Sequence, residues 1–185
     1  MARACGPLMA GYPIDPQYSG AEDGAGLLHM TLEMLADAPS ADYDRPALGQ
    51  VVDALATELA DVEPFTTQVG HPFSNIAGVV VDVWPDAEVL ALIERVRAAI
   101  RKSRGEGALL HSGGRPHLSL GYSYRDTSSD RLNGPLRNEI TPRQVPLHVD
   151  RVHLLDVTWA FADDIGGWRM SWEPVAEIPL GHRPR

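Results

Sequence analysis

The chain has 185 residues, a formal net charge of −9, and a composition that is 44% hydrophobic and 22% charged. That balance belongs to a folded domain large enough to bury a core, and it excludes collagen-like, low-complexity and intrinsically disordered chains. The acidic excess also speaks against a protein that wraps long nucleic acid, because phosphate binding needs clustered Lys and Arg. The charge is uneven: residues 1–64 hold eleven acids and two bases, while residues 65–185 hold fourteen of each. Cys5 is the single cysteine, so no internal disulfide and no Cys-based zinc site can form. Apolar runs such as Gly78-Val79-Val80-Val81 are far too short to span a membrane. No basic stretch followed by an apolar one opens the chain. A cytoplasmic monomer with no membrane partner is the expectation.

Residues 1–26 carry three prolines and five glycines and read as an irregular N-terminal arm, with a short strand near Leu8–Tyr12. Residues 27–185 read as one ordinary domain, or two small lobes sharing a chain. Leu27–Met34 alternates, with Leu28, Met30, Leu32 and Met34 on one side and His29, Thr31 and Glu33 on the other, the pattern of a half-buried strand. Asp44 and Pro46 open a helix whose apolar face is Leu48, Val51, Val52, Leu55 and Leu59. Phe65–Gly70 and Gly78–Trp84 read as strands joined by the turn-rich His71–Asn75. A second helix begins at Pro85-Asp86, buries Val89, Leu92, Ile93, Val96 and Ile100, and carries Arg101, Lys102 and Arg104 where the helix dipole is negative. Gly105 ends it. After a glycine-rich turn at Ser112–Gly114 come a strand over His117–Tyr124 and a short helix near Ser129–Arg137. Strands at Pro146–Trp159 and Trp168–Pro179 then flank the acidic turn Asp163–Gly167. This order gives an α+β fold with mainly antiparallel sheets, not a βαβ repeat.

Two pieces share one form: His29-Met30-Thr31-Leu32 and His117-Leu118-Ser119-Leu120. The two-residue period of a strand places the imidazole and the hydroxyl on one face and the apolar residues on the other. With seven histidines in the chain, about 0.07 such pieces are expected by chance, so two are a signal. Two histidines that titrate near neutrality can share acid and base roles across one scissile bond, and two hydroxyls can donate to an oxyanion held between them. That set suits in-line displacement at phosphorus, and it requires no metal and no cofactor.

At these residues the sequence resembles the two-histidine (2H) phosphoesterases, which include the bacterial 2′-5′ RNA ligase-like proteins and cyclic nucleotide phosphodiesterases. Both motifs match the family's His-x-Thr/Ser-hydrophobic pattern in full. Arg115–Ser123 is similar to the second-motif neighbourhood of the family, and Trp172–Ala176 to its last strand. Many members carry Arg five residues after the second histidine, where this chain has Tyr122. The resemblance implies a bilobal, pseudo-symmetric fold with two mainly antiparallel sheets flanked by helices around a central cleft. It also implies hydrolysis of a 2′,3′-cyclic phosphate or related small phosphodiester by His29 and His117, with Thr31 and Ser119 on the phosphoryl oxygens. A small nucleotide or short oligonucleotide is the substrate so implied, in preference to long RNA.

Four further residues are candidates for substrate binding: Arg115, Tyr122, Tyr124 and Arg125. By strict alternation Tyr122 falls on the apolar face unless the strand bulges. Arg151 is a further candidate phosphate contact, and Glu33 either orients a histidine or is exposed. His71 and His111 sit in loops, His148, His153 and His182 have no partner at metal-ligand spacing, and zincin, nucleophile-elbow and P-loop patterns are missing. The alternatives are a non-catalytic module that holds a phosphorylated ligand in the same cleft, and a metal-dependent hydrolase drawing on the acids of residues 1–64.

Overall fold

The structure is a computed structural model describing residues 1–18, 26–109 and 114–182. In chain order its regular elements are α1 (Ala2–Met9), β1 (Ile14–Pro16), α2 (Arg45–Leu59), β2 (Phe65–Ser74), β3 (Gly78–Trp84), α3 (Ala87–Arg104), β4 (His117–Ser123), α4 (Asp130–Asn138), β5 (Gln144–Val149), β6 (Arg151–Ala162) and β7 (Gly167–Pro179). β1, β4, β3, β2 and β5 form one antiparallel sheet in that order, while β6 and β7 form a separate antiparallel ribbon. The expected α+β class with antiparallel sheets holds.

Two apolar cores fix this arrangement. Asp44 caps α2 by accepting a hydrogen bond from the Ala47 amide at 2.8 Å, and Val51, Leu55 and Leu59 then line one face of the helix. They meet Leu92, Val96 and Ile100 of α3, together with Val152, Ile178 and Leu180 at the base of the ribbon. α3 stops at Gly105, whose φ of 87° only glycine adopts readily. The second core lies under α1 and α4, where Val79, Val81 and Val83 of β3 and Leu120 of β4 pack with Leu132 and Leu136.

Several elements depart from the sequence reading. The first residues are not an irregular arm: Met1, Cys5 and Met9 recur at helical spacing, and Cys5 and Met9 are buried in the second core. That packing overrides the poor helix propensity of Gly6 and Pro7, and the short strand is at Ile14–Pro16, not near Leu8–Tyr12. Burial pushes the Cys5 thiol up to about 11. β2 continues through His71–Ser74 across a bulge between Val69 and Pro72, and the turn comes later. There Asn75 Oδ1 accepts from the amides of Ala77 and Gly78 at 2.9 and 3.1 Å. Pro146–Trp159 divides at Asp150 into β5 and β6, which belong to different sheets. Leu27–Met34 is extended but is not a full strand: β1 already occupies the β4 edge at Gly121–Ser123, and the segment bridges β4 at His29–Ser119. The glycine-rich turn at Ser112–Gly114 and His111 fall largely outside the described residues.

One irregularity governs the site. Val79 faces Gly121 and Val80 faces Ser119, so β4 carries Leu120 as an extra residue, a β-bulge. Gly78, with φ 149°, makes room for it, since a Cβ there would lie 2.1 Å from the Gly121 carbonyl oxygen. Beyond the bulge the facing of β4 is reversed, which turns Tyr122 to the side of Ser119.

Candidate functional site

The two motifs meet across β4. His29 lies directly opposite Ser119 in an antiparallel bridge, its carbonyl accepting from the Ser119 amide at 3.2 Å. Directly opposed residues share a face, as do residues two apart in a strand, so His29, Ser119 and His117 lie on one side. Both imidazoles are tethered alike. His29 Nδ1 donates to the Leu27 carbonyl at 2.8 Å, and His117 Nδ1 donates to the Arg115 carbonyl at 3.0 Å. A carbonyl can only accept, so Nδ1 carries a proton in each ring and Nε2 is left to do chemistry.

Ser119, 3% exposed, donates from Oγ to the Tyr122 hydroxyl at 3.1 Å, and that hydroxyl donates to His29 Nε2 at 3.1 Å. Tyr122 therefore belongs to the site face, not to the apolar face that strict alternation assigns it. Burial pushes the His29 imidazole below its ordinary value; the Leu27 carbonyl opposes that shift and nearby His117 adds to it. His29 is thus neutral at neutral pH, with a basic Nε2. His117 is exposed. Thr31 is also exposed, two residues on from His29.

Aromatic rings from the ribbon close the other side. Trp172 meets the His29 ring edge-on at 5.2 Å between centroids and 81° between planes. Trp159 meets Tyr122 in the same manner at 5.2 Å and 74°. Two contacts seat the ribbon: Arg169 reaches Asp15 of β1 at 3.3 Å, and Gly167 abuts Tyr124, whose Cβ would be 2.6 Å from any Cβ placed there. Trp159 was not a candidate from the sequence, and Trp172 entered only as part of a strand. Their signal was the run of large apolar residues at every second position, Val157, Trp159 and Phe161 on β6 and Trp168, Met170 and Trp172 on β7, longer than a two-stranded ribbon needs for its own packing.

The remaining candidates divide. Arg115 is exposed, pairs with Asp82 at 3.2 Å, and lends its carbonyl to His117. Tyr124 and Arg125 stand apart from the histidines and line an adjoining pocket, with the guanidinium 5.9 Å from the Tyr124 ring centroid. Arg151 is engaged by Asp150 and Glu177 at 2.8 and 2.7 Å at the base of the ribbon. Glu33 is not exposed: its carboxylate is buried and paired with Arg97 of α3 at 2.6 Å. Much of the acid excess of the first third is used this way, with Asp61 on Arg95 and Asp37 on Arg104. No group of three or more His, Cys, Asp or Glu that could hold a metal ion occurs among the described residues, and no described helix is long and apolar enough to cross a membrane.

The family model of the 2′-5′ RNA ligase superfamily matches residues 14–158, beginning at the first residue of β1. Among solved structures the chain is similar to TT0787 of Thermus thermophilus, with a TM-score of 0.58 at 16% identity, over 100% of this chain and 95% of that one. It is similar to Escherichia coli LigT in its apo form, with a TM-score of 0.58 at 16% identity over 97% and 90% of the two chains. The complex of LigT with 3′-AMP gives 0.57 at the same identity and coverage. At this identity the likeness is one of fold. No curated protein matches the chain.

Proposed function

The chain belongs to the 2′-5′ RNA ligase superfamily, and from that premise we propose that it is a metal-independent phosphodiesterase. Its substrates are 2′,3′-cyclic phosphates or related small nucleotide phosphodiesters, and its acid–base pair is His29 and His117. The observation that carries this reading is the meeting of the two motifs on one face, with both imidazoles held through Nδ1 by the carbonyl two residues earlier. Two equivalent rings with Nε2 presented to one cleft are what an in-line displacement needs.

In the proposed reaction, neutral His29 takes a proton from water through Nε2 as the water oxygen bonds to phosphorus. The bond from phosphorus to one ribose oxygen breaks, and His117 as imidazolium supplies the proton that oxygen acquires. Each transfer is worth about 10²–10⁴ in rate. Ser119 and Thr31 donate to the equatorial oxygens as negative charge grows there. Tyr122 stands where many relatives have arginine; as the phosphoryl group enters, the Tyr122 hydroxyl turns its one proton from His29 Nε2 to an equatorial oxygen and Ser119 Oγ turns its own from Tyr122, which frees Nε2 for the water. Arg115 supplies positive charge at the mouth of the cleft. LigT has been crystallised with 3′-AMP, and a small nucleotide is the ligand class we carry to this chain. The buried free thiol of Cys5 suits a reducing cytoplasm.

The test is turnover of a nucleoside 2′,3′-cyclic phosphate across pH, with the position of the product phosphate determined. The expected profile is bell-shaped, since one histidine acts neutral and the other protonated. Because His29 is depressed by burial, kcat/KM should rise along an acid limb centred below the ordinary histidine value of about 6.5. Tight binding without turnover would overturn the proposal in favour of a binding module. An acid limb centred above that value would remove His29 as the base.

A further inference from the structure

Both site imidazoles are held through Nδ1 by a backbone carbonyl, but the two carbonyls are fastened differently. Leu27, which holds His29, is fixed by its main chain, because its amide donates to the Gln17 carbonyl. The carbonyl that holds His117 belongs to Arg115, and β4 begins only at His117. Arg115 therefore lies beyond the hydrogen-bonded ladder of the sheet. Pro116, buried and without an N–H to donate, separates it from the strand. A residue before proline is confined to extended backbone. That narrows the direction of the Arg115 carbonyl and leaves its anchorage to the side chain.

The anchor is Asp82, whose Oδ2 lies 3.2 Å from the Arg115 guanidinium. Asp82 directly opposes His117 in the pairing of β3 with β4, so carboxylate and imidazole rise from the same face of the sheet. Three contacts close a ring around the histidine: the ladder from His117 to Asp82, the ion pair from Asp82 to Arg115, and the Arg115 carbonyl on Nδ1. His29 has no such arrangement, since the residue opposite it is Ser119.

Resting on the reading of His117 as the acid, we infer that Asp82 is a positioning residue for His117 and acts through Arg115. When His117 gives its Nε2 proton to the departing ribose oxygen, the N–H electron pair stays on Nε2 and the neutral ring keeps its other proton on Nδ1. The Arg115 carbonyl stabilises that form and aims Nε2 at the leaving oxygen. A free neutral imidazole prefers its proton on Nε2, so a ring released from the carbonyl drifts in both tautomer and direction. A misplacement of about 1 Å at a reacting atom costs up to ~10² in rate.

Two measurements on Asp82→Ala test this. In steady-state turnover of a nucleoside 2′,3′-cyclic phosphate, kcat should fall about tenfold to a hundredfold with KM unchanged. Asp82→Glu keeps a carboxylate within reach of Arg115 and should recover most of the loss. If the guanidinium served only as a phosphate contact, freeing it would lower KM and leave kcat alone. The second measurement needs no turnover: nitrogen NMR of protein labelled in its histidine rings, at about pH 9, where an ordinary imidazole is neutral. The His117 signals are those lost in His117→Ala. The wild type should show a protonated Nδ1 and a bare Nε2, and Asp82→Ala should shift toward the opposite tautomer. An unchanged kcat, or an unshifted tautomer, overturns the inference. If the wild type turns over no cyclic phosphate, the reading of the histidines fails, and the tautomer alone decides whether Asp82 positions the ring. The Arg115 side chain is 64% exposed, and exposed ion pairs add little to stability. A melting curve confirms that the variant is folded.

Discussion

Replacing His29 or His117 by alanine is expected to lower kcat/KM for a nucleoside 2′,3′-cyclic phosphate by about 10²–10⁴ in each case. The argument is positional. Each ring is held through Nδ1 by the carbonyl two residues before it, so its Nε2 faces the cleft and no other described imidazole or carboxylate shares that tether. The double variant should lose much less than the product of the two single effects, because groups that act on one transition state fail as a unit. His117 is exposed, so its removal tests chemistry with little risk to the fold. His29 lies half-buried beneath Trp172, and its variant requires a thermal melt beside the rate. Full activity in both single variants would exclude the assignment.

Tyr122→Phe is expected to lower kcat by about tenfold to a hundredfold, toward the loss seen when one oxyanion donor is removed. The phenylalanine ring retains the edge-on packing of Trp159, so the variant removes only the hydroxyl between Ser119 Oγ and His29 Nε2. It also carries a sign. A donor to Nε2 favours neutral imidazole, and its loss favours protonation. The acid limb of kcat/KM should therefore move to higher pH in the variant. A role confined to packing would leave both kcat and that limb where they are.

The fold class was legible because its signals are local. Asp44 with Pro46, the spacing of Val51, Leu55 and Leu59, and Gly105 after Arg101–Arg104 each mark a helix boundary or face by short-range chemistry. The histidine motifs were legible for the same reason. What escaped was decided by distant partners. The bulge at Leu120 that turns Tyr122 into the site depends on Gly78 of another strand, and nothing near Tyr122 announces it. Helix α1 forms against α4 in spite of Gly6 and Pro7. The first motif was expected on a strand and is found on an extended segment held at one bridge, since β1 takes the rest of the edge. Glu33 is claimed by Arg97, sixty-four residues away. Three acids of the first third, Asp61, Glu33 and Asp37, are matched across the fold by Arg95, Arg97 and Arg104 of α3. The chain's net charge of −9 therefore describes its surface on average and says little about the cleft.

The account stands on two histidines completing phosphodiester hydrolysis by themselves. The most direct measurement follows a nucleoside 2′,3′-cyclic phosphate by phosphorus NMR in excess EDTA, with wild-type protein and with His117→Ala. The predicted result is complete conversion by the wild type to one phosphomonoester, at a rate unaltered by the chelator, and conversion slowed by about 10²–10⁴ in the variant. Loss of wild-type turnover in EDTA, or conversion by His117→Ala at the wild-type rate, would contradict it.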